Sequence, residues 1–186
     1  MKISFILASV IFGAVVSATP VVQEAVCDVD SQVLSESWIG AEKNVKVTTL
    51  FCPSLAKVGR SVLEERQAAP VNVCGATCNT NCFLPAGGGP DPNDCNVIAD
   101  ALRYESENTG AIFQVNNTAG GNTIAMQYRS CRTFFLNQDL QPLAYCRTDW
   151  AALIDWIAPN CQATQNAHGG NCVASDQRWF VQVQHV

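Results

Sequence analysis

The sequence predicts an α+β domain in residues 67–186, with four or five mostly antiparallel strands and at least two helices, stapled by disulfides. Apolar residues recur at helical spacing in two segments and alternate with polar residues in several shorter ones. Eight of the ten cysteines lie in this part of the chain. The 48% hydrophobic composition is that of a folded chain, and the net charge of −5 gives no support for nucleic-acid binding.

Residues 1–18 have the features of a secretory signal peptide. Lys2 precedes an apolar run that extends to Val16, and the small residues that end at Ala18 suit cleavage by signal peptidase. The run is shorter than the roughly 20 apolar residues that a membrane-spanning helix needs. We therefore predict a secreted, extracellular protein without a membrane span.

Export determines how the cysteines are interpreted. In an oxidising compartment an even number favours disulfides over thiol chemistry or a metal site, and we predict neither a metal nor a cofactor. Cys74, Cys78 and Cys82 recur every four residues, and i,i+4 neighbours on a helix are too far apart for a disulfide, so each should pair with a distant cysteine. The connectivity stays open. The predicted disulfide cysteines are an N-terminal pair and a C-terminal group of eight: Cys27 and Cys52; Cys74, Cys78, Cys82, Cys95, Cys131, Cys146, Cys161 and Cys172.

A small-residue linker divides the chain after Arg66. The segment Ala68-Ala69-Pro70 follows this arginine, and a basic residue before an exposed linker suits a secretory-pathway protease. Residues 19–66 are therefore either a pro-region removed after Arg66 or an N-terminal extension that stays attached. Residues 67–186 form the predicted binding domain, and they contain no lysine, which excludes Schiff-base and lysine-base chemistry.

Two helices are expected in this domain. The first should have Asp91 as its N-cap and Pro92 as its first residue, and it should end near Gly110. The second should begin at Thr148 or Asp149 and end at Pro159. Each has a set of apolar residues at helical spacing: Cys95, Ile98, Ala99 and Leu102 in the first, and Trp150, Leu153, Ile154 and Ile157 in the second.

Strands are expected where apolar and polar residues alternate. Residues 111–115 and 124–128 should form a hairpin around a glycine-containing turn. Further strands are expected at 133–136, 142–147 and 178–186. The one N-x-S/T sequon starts at Asn116, which is a predicted glycan acceptor.

The candidate functional residues favour binding over catalysis. No nucleophile-elbow or zinc-protease motif occurs, although Asp149 and Asp155 are a nominal carboxylate pair for a glycoside hydrolase. Trp156 lies roughly 120° from the apolar stripe of its helix, so it is either packed against another layer or exposed as a platform for a sugar ring or a partner. Tyr104 has the same two interpretations on the first helix.

A polar loop adds further candidates. Gln165, Asn166 and His168 offer amide and imidazole groups that match hydroxyl ligands without needing charge. The alternative is a glycine turn tied down by Cys161 and Cys172. We take Trp156 and Tyr104 together with these three loop residues as the predicted ligand-binding set, with no catalytic residue.

Residues 72–186 resemble the small secreted mushroom glycan-binding proteins of the ink-cap antiviral lectin type. The resemblance rests on four segments in the same order: VCGATC at 73–78, PAGGGPDPNDC at 85–95, CRTDWAALI at 146–154 and NCQATQNAHGG at 160–170. It implies an α/β/α sandwich, a homodimer formed sheet to sheet, and recognition of fucosylated or GalNAc-containing glycans or glycoproteins without catalysis. Residues 19–66 lie outside it.

The order of elements also has a looser likeness to secreted fungal killer-toxin and effector domains. That topology gives the alternative of a protein or membrane target, and a glycoside hydrolase is the third hypothesis. The sequence therefore predicts a secreted, lectin-like carbohydrate-binding protein that performs no bond-making or bond-breaking.

Overall fold

The computed structural model describes residues 31–53, 69–117 and 120–186. The predicted signal peptide, its cleavage site at Ala18, Cys27 and the predicted processing site at Arg66 lie outside these ranges. The described strands are, in chain order, β1 (Gln32–Ile39), β2 (Val45–Phe51), β3 (Val71–Asn72), β4 (Cys78–Cys82), β5 (Ile112–Val115), β6 (Thr123–Tyr128), β7 (Cys131–Asn137), β8 (Leu143–Cys146), β9 (Gly169–Ala174) and β10 (Trp179–His185). The helices are α1 (Pro92–Asn108) and α2 (Arg147–Asn160), and a 3-10 helix covers Ala163–Gln165.

Seven strands form one antiparallel sheet in the order β1-β2-β6-β7-β10-β9-β4. In a second, small sheet, β8 lies between β3, which is parallel to it, and β5, which is antiparallel.

The predicted α+β class with mostly antiparallel strands is confirmed. The expectation of four or five strands is wrong, because the large sheet alone has seven. Strands β1 and β2 come from the predicted pro-region or extension, and β4 and β9 are rich in Cys, Asn and Gly, which conceals their alternation.

The expected hairpin between residues 111–115 and 124–128 does not form. Both segments are strands, but β5 pairs with β8 in the small sheet, whereas β6 pairs with β2 and β7 in the large one. A buried side chain fixes this separation: Asn137 Nδ2 donates to the carbonyl oxygens of Val115, Asn116 and Gln141 at 2.9–3.1 Å. The end of β5 is therefore bound to the chain that leads into β8. Asn116 itself is exposed, and Thr118 of its sequon lies outside the described residues.

Both helices lie on the same face of the large sheet. They contact each other, and their buried residues join one apolar cluster with Phe135, Val181 and Val183 of the sheet. The other face of the sheet contributes to a separate, smaller cluster that includes Phe134 and Phe180. The described residues therefore place their two helices in a single layer, which differs from the α/β/α arrangement that the resemblance implied.

The helix predictions agree closely with the structure. The Asp91 side chain caps α1 by accepting from the backbone N–H of Asn93, and Pro92 is the first helical residue. Helix α2 begins one residue earlier than expected and continues one residue past Pro159, because the Cys161 N–H still bonds to the Ile157 carbonyl at 2.9 Å. Within the described ranges, no helix combines the length and apolarity that a bilayer crossing requires.

Large aromatic side chains fill the centre of the core. Phe135 of β7 stacks on Tyr145 of β8 with ring centroids 4.8 Å apart, and on Trp179 of β10 at 5.5 Å. Trp150 of α2 is completely buried, and its Nε1–H donates to Thr133 Oγ1 at 3.0 Å. These contacts join the large sheet, the small sheet and α2 into one core.

Four disulfides connect distant parts of residues 74–172, which confirms the prediction of disulfide bonds and gives each of the three closely spaced cysteines a distant partner. The pairs are Cys74–Cys146, Cys78–Cys172, Cys82–Cys161 and Cys95–Cys131. Cys52 is also disulfide-bonded. Since the other eight cysteines of the described ranges are taken by these four bonds, the partner of Cys52 is none of them.

Candidate ligand-binding groove

One face of α2 forms the first wall of an open groove. Asp149, Ala152, Leu153 and Trp156 occupy positions i, i+3, i+4 and i+7, so they share one stripe of the helix. The buried residues of α2 lie on its other side and pack in the main core. The helix is therefore fixed through one stripe and presents the other to the groove.

The edge of the large sheet forms the second wall. It consists of residues 75–78, in and before β4, together with Thr80. Tyr145 and Cys172 complete the lining, and the groove has a volume of about 450 Å³. This is within the size range of small-ligand sites, roughly 300–1,000 Å³.

Two disulfides hold the walls in place. The Cys78–Cys172 bond joins β4 to its neighbour β9, and the Cys74–Cys146 bond joins the loop before β4 to the residue that precedes α2. Both walls are thus covalently tied to the rest of the domain. A groove with fixed walls loses little conformational entropy when a ligand binds.

Trp156 is the most prominent side chain of the groove. It is 52% exposed, whereas Trp150 and Trp179 are completely buried. Its side chain is therefore exposed and not packed into the core. A half-exposed indole on a groove wall offers a flat apolar surface next to polar groups.

The carboxylate of Asp149 lies on the same helix stripe, in the first turn of α2. Its Oδ2 accepts a hydrogen bond from the backbone N–H of Gly75 on the opposite wall, at 2.7 Å. Burial raises the pKa of the Tyr145 hydroxyl, and the nearby charge of Asp149 raises it further. The groove therefore combines an aromatic surface with one negative charge that has acceptor capacity left over.

Asp149 is also part of the one group in the described ranges that has the spacing of a metal site. The other two members are Cys74 and Cys146. Their sulfur atoms are joined in a disulfide, and a metal ligand needs a thiolate. The chemistry of this group therefore fits a structural bridge beside a carboxylate rather than a cation site.

The predicted loop residues use their polar atoms to hold the loop itself. Asn166 Oδ1 accepts from the Ala86 N–H at 3.0 Å, and the His168 Nδ1–H donates to the Pro85 carbonyl at 2.6 Å. Gln165 Oε1 accepts from the backbone N–H of Gln162 at 3.1 Å. Asn166 and His168 therefore bind the segment 83–90, whereas Gln165 bonds within its own loop. None of the three lines the groove with Trp156.

Tyr104 lies on α1 and is 41% exposed, and it too is absent from the groove lining. Its backbone carbonyl accepts from the Asn108 side chain at 2.7 Å. The structure therefore divides the predicted ligand-binding set into three places: the groove, the loop 163–168 and the outer face of α1.

The two carboxylates considered for hydrolysis point to different neighbours. Asp149 bonds to Gly75 across the groove, whereas Asp155 forms an ion pair with Arg103 of α1 and raises the pKa of that guanidinium. Six helical positions separate the two residues, which places them about 120° apart around α2. They do not face each other across a common site.

Sequence reasoning missed the second wall of the groove. Residues 75–78 belong to a segment that carries the family resemblance, but nothing in the sequence assigns them or Thr80 to the ligand site. Their position opposite α2 follows from disulfides whose connectivity the sequence left open. In the sequence, Asp149 stands out only as a possible start of the second helix or as a hydrolytic carboxylate. Its spacing of seven residues from Trp156, two full turns, is the signal that would have placed both on one stripe.

Comparison with known proteins gives no assignment. No protein-family model matches the chain, and no curated protein matches it significantly.

Proposed function

We propose that this is a secreted carbohydrate-binding protein of lectin type, and that the groove between α2 and β4 is its glycan site. The observation that carries the proposal is the half-exposed Trp156 on a groove wall that also presents the Asp149 carboxylate. The proposal agrees with the resemblance to mushroom glycan-binding proteins, from which we take fucosylated or GalNAc-containing glycans as the first ligands to test.

Trp156 would provide the apolar contact. The C–H groups of a pyranose ring form a flat apolar patch, and an indole ring covers it at little conformational cost because the tryptophan side chain has two rotatable bonds. Leu153, one turn earlier on α2, extends the apolar surface at the same wall.

Asp149 would orient the bound sugar through hydrogen bonds. A carboxylate accepts hydrogen bonds only, and its two oxygens have about four acceptor positions, of which Gly75 uses one. Adjacent sugar hydroxyls can donate to the remaining positions, and hydrogen bonds to a charged acceptor are stronger than neutral ones. Asp149 and Trp156 are two turns, roughly 10 Å, apart along α2, so the pair is suited to a neutral oligosaccharide in which one ring contacts the indole and hydroxyls of a neighbouring ring reach the carboxylate.

The arrangement of the charges supports binding without catalysis. Glycosidases generally need two carboxyl groups that flank the scissile bond. Here Asp155 is engaged with Arg103 on the side of α2 that faces α1, so Asp149 supplies the one carboxylate that lines the groove among the described residues. We therefore propose no catalytic residue. A homodimer would place two such grooves in one molecule and strengthen binding to multivalent glycans.

A matched pair of tryptophan substitutions tests the site. Trp38 on β1 is 56% exposed and lies outside the groove, so Trp38→Ala is a control of the same chemistry and similar exposure. The purified protein should give a selective signal on a glycan array. Trp156→Ala should lower the affinity for the selected glycan at least about tenfold, equivalent to about 1.4 kcal/mol, and Trp38→Ala should leave it within about twofold.

Two results would contradict the proposal. Equal glycan affinities in the two variants would remove the groove as the site. An array without any selective signal would remove carbohydrate binding and favour a protein or membrane target, whereas turnover of chromogenic glycosides would favour a hydrolase.

A further inference from the structure

The hairpin β1–β2 is built into the large sheet although it belongs to the segment before Arg66. Strand β2 pairs with β6 through five consecutive residue pairs, from Lys46–Gln127 to Leu50–Thr123. Val45 and Leu50 of the hairpin are buried, at 0% and 4% exposure. The hairpin therefore covers the edge of β6, which would otherwise present unpaired backbone groups.

A buried asparagine fixes the end of β2. Asn122 is fully buried, its Oδ1 accepts from the Cys52 N–H at 2.8 Å, and its Nδ2 donates to the Cys52 carbonyl at 3.1 Å. These two bonds have the same pattern as the bonds between two paired backbone residues. They hold Cys52 just beyond the point where the pairing of β2 with β6 ends. Removing the amide would leave two buried backbone groups unsatisfied, at a cost of about 1–3 kcal/mol each.

The turn of the hairpin docks on α1. Gly40 has a φ of +88°, and its N–H donates to Glu105 Oε1 at 3.3 Å. A Cβ at this position would lie 3.0 Å from the Cβ of Ala101, so the backbone of the turn lies directly against the helix. The hairpin is thus held at its turn, along β2 and at its end.

None of these contacts is covalent. All four disulfides of residues 74–172 close within that region, and the bond of Cys52 does not involve their cysteines. A cavity of about 170 Å³ lies between part of the hairpin and the domain, beside the paired strands. It is lined by Ile39 and Val47 on one side and by Phe113, Met126 and Arg147 on the other, among others. The hairpin therefore contacts the domain through a non-covalent interface, and this interface contains a cavity.

We propose that the edge of β6 is a strand-accepting surface whose occupant is residues 31–53 of this chain, and that this segment stays bound when the chain is cut after Arg66. Processing would then produce a two-chain protein rather than a released pro-region. Without the hairpin, β6 would expose its backbone edge together with Ile124 and Met126, which pack against the main core. This property is independent of carbohydrate binding in the groove at the other edge of the sheet.

A cut made after folding tests the proposal. In a full-length variant, residues 63–66 are replaced by the recognition sequence of a site-specific protease, and the folded protein is digested. The two fragments should co-elute in size-exclusion chromatography at micromolar concentration and appear as one species in native mass spectrometry. In urea without reductant they should separate.

Two substitutions sharpen the test. Asn122→Ala in the cut protein should raise the dissociation constant of the fragments at least about tenfold, by loss of the pair of bonds to Cys52. Asn108→Ala is the control, because Asn108 is exposed and bonds only within α1, to the Tyr104 carbonyl. It should leave the dissociation constant within about twofold.

The proposal is overturned if the N-terminal fragment of the cut wild-type protein leaves without denaturant, since residues 31–53 would then be a removable pro-region. It is also overturned if the fragments stay together in urea until a reductant is added, because the link would then be covalent. The wild-type experiment decides between these outcomes even if Asn122→Ala does not fold.

Discussion

The two edges of the large sheet are held in different ways. At the β4 edge, three disulfides tie the strand and its flanking loop to β9, to the residue before α2 and to the residue after α2. At the β1–β2 edge, backbone ladders, buried apolar side chains and the Asn122 amide hold the hairpin. The candidate groove lies at the covalently held edge. The comparison suggests that cross-links fix the surface that needs a constant shape, whereas the other edge needs only to be covered.

The largest combined effect, on stability and on glycan affinity together, is expected from loss of the disulfide behind the groove. Cys78→Ala together with Cys172→Ala removes a link between residues 94 positions apart. We expect the free energy of unfolding to fall by about 2–4 kcal/mol and Tm to fall by roughly 5–15 °C. The wall formed by β4 should also loosen, so affinity for the glycan should decrease. Urea unfolding and a glycan titration measure the two effects.

Leu50→Ala is the matched perturbation at the opposite edge. Leu50 is 4% exposed, and truncation of a buried leucine costs about 2–5 kcal/mol. Stability should therefore fall by a similar amount, but glycan affinity should stay within about twofold because the groove is at the other end of the sheet. A loss of affinity as large as that in the double cysteine variant would argue against separate roles for the two edges.

A smaller effect is expected at the polar loop. His168→Ala removes the hydrogen bond from Nδ1–H to the Pro85 carbonyl, so the free energy of unfolding should fall by about 1 kcal/mol. Glycan affinity should change by less than about threefold, because His168 does not line the groove. A tenfold loss of affinity with unchanged stability would instead place the ligand at the loop.

The sequence was sufficient to predict both helices and five of the strands in residues 91–186, but not β9. The cap at Asp91, the helical spacing around Ile98 and the alternation at Val181 are signals that each segment carries within itself. The pairing of the strands could not be predicted in the same way. The hairpin expected for β5 and β6 failed because Asn137 and β8 bind the end of β5, and no local pattern records such a contact.

For the same reason, only one of the two walls of the groove could be predicted from the sequence. Trp156 was found because its position on a helix follows from the 3.6-residue period. The wall opposite depends on Cys78–Cys172 and Cys74–Cys146, and eight cysteines allow 105 pairings. Likewise, no sequence signal showed that a segment before the linker supplies two strands of the sheet, since its edge contacts involve residues about 70 positions away, such as Asn122.

The most direct test of glycan binding in the groove is an NMR titration of the indole N–H signals. The chain has four tryptophans, so four signals are expected. Trp150 and Trp179 are buried. Trp38 is exposed on the edge strand β1, and Trp156 is exposed on α2 beside the opposite, β4 edge of the sheet. Addition of the glycan selected on the array should shift the Trp156 signal and leave the Trp38 signal in place. A shift of Trp38 alone, or no shift of Trp156 at saturating glycan, would contradict the assignment of the groove.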